Sequence, residues 1–197
     1  MKAGYGTHSG GKLPSEGSFA APQLVFLVGF MGAGKSSVGR ALGRRLGWSF
    51  EDLDDRVMAR EGQTVEQIFG NSGEAGFRRA EHAALSELLS ALGDSPRIIA
   101  VGGGAFVQPE NAALLEGMRT VFLDAPVEEL WRRCQGDDVV RPLRTDKEHF
   151  RELYRTRRPH YLRASVCIDT NGKDIQVVAI QVAAALGLNI DGEGAVT

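Results

Sequence analysis

At 197 residues, with 43% apolar and 24% charged side chains, the chain has the size and balance of one globular domain with a single core. A net charge of -2 excludes a whole-chain attraction to nucleic acid or to an anionic membrane, so any anion must be held by a local arrangement. The two cysteines, Cys134 and Cys167, lie far apart and outside metal-ligand spacing; they exclude a disulfide scaffold and fit a cytoplasmic setting, and no apolar stretch reaches the roughly 18–20 residues of a membrane span.

Residues 1–22 are rich in Gly and Ser, with no apolar run and no arginine, and read as a flexible tail rather than a signal or transit peptide. The body then alternates short apolar runs with helical patterns. Strands are predicted over 24–28, 48–52, 98–101, 120–123 and 166–168. Helices are predicted over 35–46, then 54–61, 64–70 and 74–91, then 109–116, 127–134, 148–158 and 174–186. In the last of these, Ile175, Val178, Ile180 and Val182 read as the buried face. The alternation predicts one three-layer α/β/α domain over residues 23–189 around a five-stranded parallel sheet, with 190–197 as a second tail.

Directly after the first strand, Gly29-Phe30-Met31-Gly32-Ala33-Gly34-Lys35-Ser36 fits G-x-x-x-x-G-K-[ST]. The glycines let successive N–H groups turn onto phosphate oxygens, and the following helix points its positive end at the same anion. Lys35 adds a cation for the β- and γ-phosphates, and the Ser36 hydroxyl suits Mg²⁺. A dinucleotide site fits less well, because Lys-Ser at a helix start serves a metal-bound triphosphate.

Asp52 and Asp54 follow the second strand, at the edge where open α/β sheets bind ligands. In extended chain they point the same way, so one could hold a metal-bound water while the other orients or deprotonates a hydroxyl. The plain alternative is an acidic loop and helix start. Arg78 and Glu81, three apart on a helix, read as an exposed ion pair. Gly102-Gly103-Gly104 follows the third strand and suggests that backbone approaches a ligand closely there, although a simple loop would look the same. The arginine-rich stretch 132–163 fits a solvated charged face, a weakly supported nucleic-acid surface, or stabilisation of a transferring phosphoryl group.

Taken in order, these segments resemble the shikimate kinases from about Leu24 to Leu186. The markers are the phosphate loop, Asp52-Leu53-Asp54, Ile68-Phe69, Gly73-Glu74-x-x-Phe77-Arg78, the triple glycine, Arg141-Pro142-Leu143, and Arg157-x-Pro159-x-Tyr161. The first is generic to nucleotide kinases, whereas the ordered set is specific. Two departures lie together: Arg144 stands where the family more often has an apolar residue, and residues 133–141 run one residue longer than the family pattern.

The resemblance implies a P-loop kinase fold with a mobile lid at about 136–148, and ATP-dependent phosphorylation of the shikimate 3-hydroxyl. It implies that Gly32, Ala33, Gly34, Lys35, Ser36 and Ser37 bind the ATP phosphates, with Arg141 on the lid. Arg133 and, more loosely, Lys173 would lie on the adenine side. Mg²⁺ would be held by Ser36 and, through water, by Asp52. Asp54 would act as base, with Lys35 and Arg141 as its catalytic partners. Arg78 and Arg157 would bind the carboxylate, Gly103 a hydroxyl, and Phe69 and Phe77 would form an apolar wall. The expected partners are small molecules alone, with neither nucleic acid nor membrane, acting on a monomer. Competing expectations are a gluconate- or nucleotide-type kinase on the same fold, against which the triple glycine and Asp-x-Asp speak, and a non-catalytic ligand-sensing module.

Overall fold

The computed structural model describes residues 24–91, 95–135 and 146–190. A five-stranded parallel sheet forms the centre, in the order β2-β3-β1-β4-β5. The strands are β1 (Leu24–Val28), β2 (Ser49–Asp52), β3 (Arg97–Ala100), β4 (Arg119–Asp124) and β5 (Val166–Asp169). All five residues of β1 are buried, as expected for the central strand of a sheet covered on both faces. Leu27 pairs with Ala100 on one side and Val121 on the other.

The helices are α1 (Lys35–Leu46), α2 (Leu53–Glu61), α3 (Val65–Ser90), α4 (Pro109–Leu114), α5 (Val127–Gln135), α6 (Lys147–Tyr161) and α7 (Ile175–Ala185). A 3₁₀ turn spans Ala105–Val107. The step from β1 to β2 runs one way across the sheet and every later step runs the other way. Right-handed crossovers therefore put α1 on one face and α2 to α6 on the opposite one. The last helix, α7, packs against α1 and completes the first layer. Reversal of direction beside β1 opens a crevice at the carboxyl ends of β1 and β3, where both glycine-rich loops lie.

Several elements differ from expectation for local reasons. The segments predicted at 64–70 and 74–91 are one element bent at Gly73, whose φ of 65° suits only glycine well. Thr64 starts it with a capping box to Gln67. Expected to stop at 158, α6 instead carries Pro159 within its last turn and ends at Tyr161, whose side chain is fully buried. The expected inner face of α7 is also corrected. Val178, Ala179, Val182 and Ala183 are buried, whereas Ile175 is 44% and Ile180 39% exposed. Position 180 lies two residues, about 200°, from 178, so both cannot face the sheet. Ile190 packs against the core.

Candidate functional site

At the start of α1, Gly34 takes a left-handed backbone (φ 89°) and offers no side-chain cap. The first N–H groups of the helix are thus left for an anion. The Lys35 Nζ lies inside the loop, donating to the carbonyls of Gly29 at 2.9 Å and Phe30 at 3.1 Å. The Ser36 hydroxyl donates to Asp52 Oδ2 at 2.6 Å, which ties the phosphate loop to the end of β2.

The two aspartates are not side by side on an extended strand, as expected. Asp52 is the N-cap of α2, and its Oδ1 accepts from the Asp54 N–H at 3.2 Å. Asp54 sits in the first helical turn, so the chain has already begun to coil between them. Both still face the same cleft.

The Arg78–Glu81 pair is likewise corrected: it is not an exposed pair, since the Arg78 side chain is only 13% exposed. Arg78 Nη1 meets Glu81 Oε2 at 2.7 Å, with the Glu81 side chain only 1% exposed. Arg78 also reaches Glu74 at 3.1 Å and lies 5.2 Å from the Phe77 ring centre. Burial pulls the Arg78 pKa down, but the Glu81 charge and hydrogen bond, with Glu74, more than offset it and leave it raised. Burial pushes the Glu81 carboxyl up, Arg78 opposes, and the nearby Asp54 charge adds to the rise, to about 7.

The triple glycine has a structural reason. A Cβ at Gly102 would fall 2.7 Å from Glu81 Oε1 and 2.9 Å from Asp54 Oδ1, and one at Gly104 would run into the Arg78 guanidinium. The loop has to be bare so that three charged side chains can converge on it. Gly103 turns its carbonyl to α6, where Tyr161 donates its hydroxyl and Arg157 Nη1 approaches at 3.5 Å. Arg157 is 8% exposed, and burial lowers its pKa.

On the other flank, Arg133 donates to the Gly32 carbonyl at 3.4 Å and to Thr170 Oγ1 and carbonyl at 3.1 and 2.8 Å. It pairs with Glu129, whose carboxyl the hydrogen bonds of Arg132 and Arg133 hold down at about 2. Lys173 Nζ donates to the Asp169 carbonyl at 2.7 Å and to Gln181 at 3.2 Å. Asp124, at the carboxyl end of β4, joins the flanks. It accepts from Arg158 and Tyr154 of α6, while its carbonyl accepts from Thr170. The arginine run therefore divides: Arg151 and Arg155 make surface ion pairs, while Arg133 and Arg157 turn inward.

One cleft of about 910 Å³ runs between these flanks. It brings together Gly32, Ala33, Gly34, Lys35, Ser36 and Ser37 with Asp52, Asp54, Phe69, Phe77, Arg78 and Gly103, and with Arg133, Arg157 and Lys173. Phe69 and Phe77 lie with ring centres 4.8 Å apart and form one apolar patch. Arg141, Arg144 and positions 136–145 of the expected lid lie outside the described residues. Positions 146–148 are described: Asp146 caps α6, and its first turn follows.

Among the lining residues that the sequence did not mark as part of the site are Glu81 and Thr170. The first had a usable signal: Phe77, Ala80, Ala84 and Leu85 make that face of the helix apolar, so Glu81 among them points inward. Thr170 had only its place just past a strand's carboxyl end.

Glu81 yields a pH prediction. Between its usual 4.5 and about 7, the folded protein keeps a proton on Glu81 that the unfolded chain has released. The folded state binds more protons there, so this group's contribution to stability falls as pH rises through the window. Glu81→Gln removes the titration. The melting temperature of wild type relative to the variant is expected to drop from about pH 5 to about pH 8, measured by calorimetry at matched ionic strength. A pH-independent difference would rule this out.

The comparisons with known proteins agree with this geometry. The family model for shikimate kinase matches residues 31–186. The shikimate kinase of Moorella thermoacetica is 41% identical over 168 residues, covering 84% of this chain and 95% of that protein. Among solved structures, the shikimate kinase from Acinetobacter baumannii in complex with shikimate superposes with a TM-score of 0.77 at 35% identity, covering 86% of this chain and 96% of that one. The shikimate kinase from Aquifex aeolicus gives 0.73 at 33%, covering 84% and 96%.

Proposed function

This chain belongs to the shikimate kinase family, and on that premise we propose how its residues carry the transfer of the γ-phosphate of ATP to the 3-hydroxyl of shikimate, giving ADP and shikimate 3-phosphate. The observation that carries the reading is a phosphate loop opening into the same cleft as a carboxylate and two inward arginines, Asp54, Arg78 and Arg157. A triphosphate donor needs the first part; a small acid bearing hydroxyls needs the second.

Residues 32–37 cradle the ATP phosphates, and Lys35 exchanges its two loop carbonyls for phosphate oxygens. Arg133 and Lys173 flank the base. Arg78 and Arg157 offer planar forks to the acceptor carboxylate, which suits bidentate recognition. Phe69 and Phe77 give the ring an apolar floor. Asp54 then orients the 3-hydroxyl toward the γ-phosphate and takes its proton.

The hard oxygen pair of Ser36 and Asp52 fits Mg²⁺, which typically takes one or two protein oxygens and completes its shell with phosphate and water. Ser36 would ligate it directly and Asp52 through water. Held there, Mg²⁺ would offset negative charge on the nucleotide phosphates. Among the described residues no cluster of three metal-ligating side chains exists, in keeping with an ion held largely by nucleotide. We propose further that the enzyme works as a cytoplasmic monomer on small molecules alone; among the described residues no helix is long and apolar enough to cross a membrane.

A coupled ADP-release assay with shikimate, gluconate, nucleoside monophosphates and no acceptor tests the assignment. Release is expected with shikimate only. Release with gluconate and none with shikimate would overturn it.

A further inference from the structure

Three consecutive glycines place almost no intrinsic restriction on their own peptide planes. Something outside the loop must therefore set them. The carbonyl of Gly102 accepts from the Ala105 N–H at 3.0 Å, and that of Gly104 from the Val107 N–H at 3.3 Å. The carbonyl between them, at Gly103, is fixed instead by α6, through the hydroxyl of Tyr161 and Arg157 Nη1 at 3.5 Å. Those two donors stand four residues apart, one helical turn, so a single stretch of α6 grips one carbonyl.

We propose that Tyr161 is a positioning residue for the acceptor site: its buried hydroxyl fixes the Gly103 carbonyl, and so holds the glycine loop in the orientation that shikimate meets. The proposal rests on the acceptor assignment above. A trans peptide is planar, so holding the Gly103 carbonyl toward α6 turns the Gly104 N–H the opposite way. Arg157 is the weaker holder, since its contact is long and its guanidinium is the group a substrate carboxylate would draw off. Once it swings to the carboxylate, Tyr161 alone retains the carbonyl.

The tyrosine is built for this duty. It is fully buried, and its ring lies 5.3 Å from Phe122 at a tilt of 33°. Burial raises its phenol pKa, so the hydroxyl stays a donor at any working pH. It also accounts for α6 continuing past Pro159: the last turn has to reach the loop.

Tyr161→Phe keeps the ring and removes only the donor. The KM for shikimate is expected to rise roughly tenfold, as for a lost hydrogen bond to a buried carbonyl, while the KM for ATP stays within about twofold. Phe122→Leu serves as the second variant, loosening the ring's packing while sparing the hydroxyl. It should lower the melting temperature and leave the ratio of the two KM values unchanged. An unchanged ratio in Tyr161→Phe, or an equal shift in Phe122→Leu, overturns the proposal, since a merely structural tyrosine would behave so. Wild-type turnover of shikimate is measured first. Its absence overturns the acceptor assignment together with this proposal, whereas its presence with an unchanged ratio overturns the role of Tyr161 alone.

Discussion

Lys35→Ala is expected to lower kcat by roughly three orders of magnitude or more, with the fold retained. The ammonium sits within the loop before any ligand arrives, held by the carbonyls of Gly29 and Phe30. In the proposed site it has only to exchange those carbonyls for the β- and γ-phosphate oxygens, so little reorganisation would be needed at the moment of transfer. Phosphoryl transfer asks little covalent chemistry of the protein, so charge placed beside the transferring group supplies much of the acceleration. Lys35→Arg should rescue poorly, because a planar fork cannot replace a compact point charge in so tight a loop. The variant's partly buried loop carbonyls lose a donor, which costs about 1 kcal/mol and a few degrees in melting temperature. Stopped assays at saturating ATP and shikimate read kcat directly. Retention of a tenth of wild-type kcat would show that the loop backbone does the work without the ammonium.

How much of this was legible in sequence depends on where each determinant sits. The phosphate loop was readable because its chemistry is local: glycine spacing, a lysine and a hydroxyl follow directly on an apolar strand. The parallel sheet was readable for the same reason, since β1 is apolar at every position. The separation at Gly73 was anticipated as a gap between two helical segments, although not as a bend within one.

What could not be read were facing decisions. A pair three apart on a helix can meet on any side of it, and spacing alone does not say whether that side is wet. Glu81 turned out buried, and Arg78 largely so, because Phe77, Ala80 and Ala84 share their helix with the core. The Asp52 carboxylate was free in sequence to be ligand or cap, and in the fold it caps α2 while accepting from Ser36. The reason for the triple glycine is wholly tertiary. Arg78, Glu81 and Asp54 come from two other helices, and only the folded chain shows that a Cβ would meet them. Tyr161 was recognisable as part of a pattern, yet its grip on Gly103 spans 58 residues of sequence.

Arg78→Ala is the second large effect, and it should fall on shikimate and not on ATP. The guanidinium lies against Gly104, with Nη1 on Glu81 and Nη2 on Glu74, so it is held in place before the acceptor binds. Preorganisation of this kind means that little side-chain entropy remains to be lost on binding. Removing one fork of a buried charge pair costs roughly 2–5 kcal/mol, which at 1.4 kcal/mol per decade is a rise in KM of roughly 30- to 3,000-fold. The lower part of that range is expected. Glu81, with its pKa already near 7, can take a proton when its partner is gone and so avoid standing as a bare buried charge. That compensation weakens as pH rises, so the defect should deepen between about pH 6.5 and about pH 8.5. Arg157 remains, and one fork still orients the acid. The KM for ATP should change by less than about threefold, since the Arg78 guanidinium is engaged by Glu74, Glu81 and the Gly104 backbone rather than by the phosphate loop. Arg78→Lys should recover only part of the loss, because an ammonium cannot satisfy carboxylate and Glu81 in one plane. Initial-rate measurements with each substrate varied at saturating levels of the other separate the two constants. Unchanged saturation by shikimate would remove Arg78 from the carboxylate site, and an equal rise in both constants would point to a collapsed cleft instead of a lost contact.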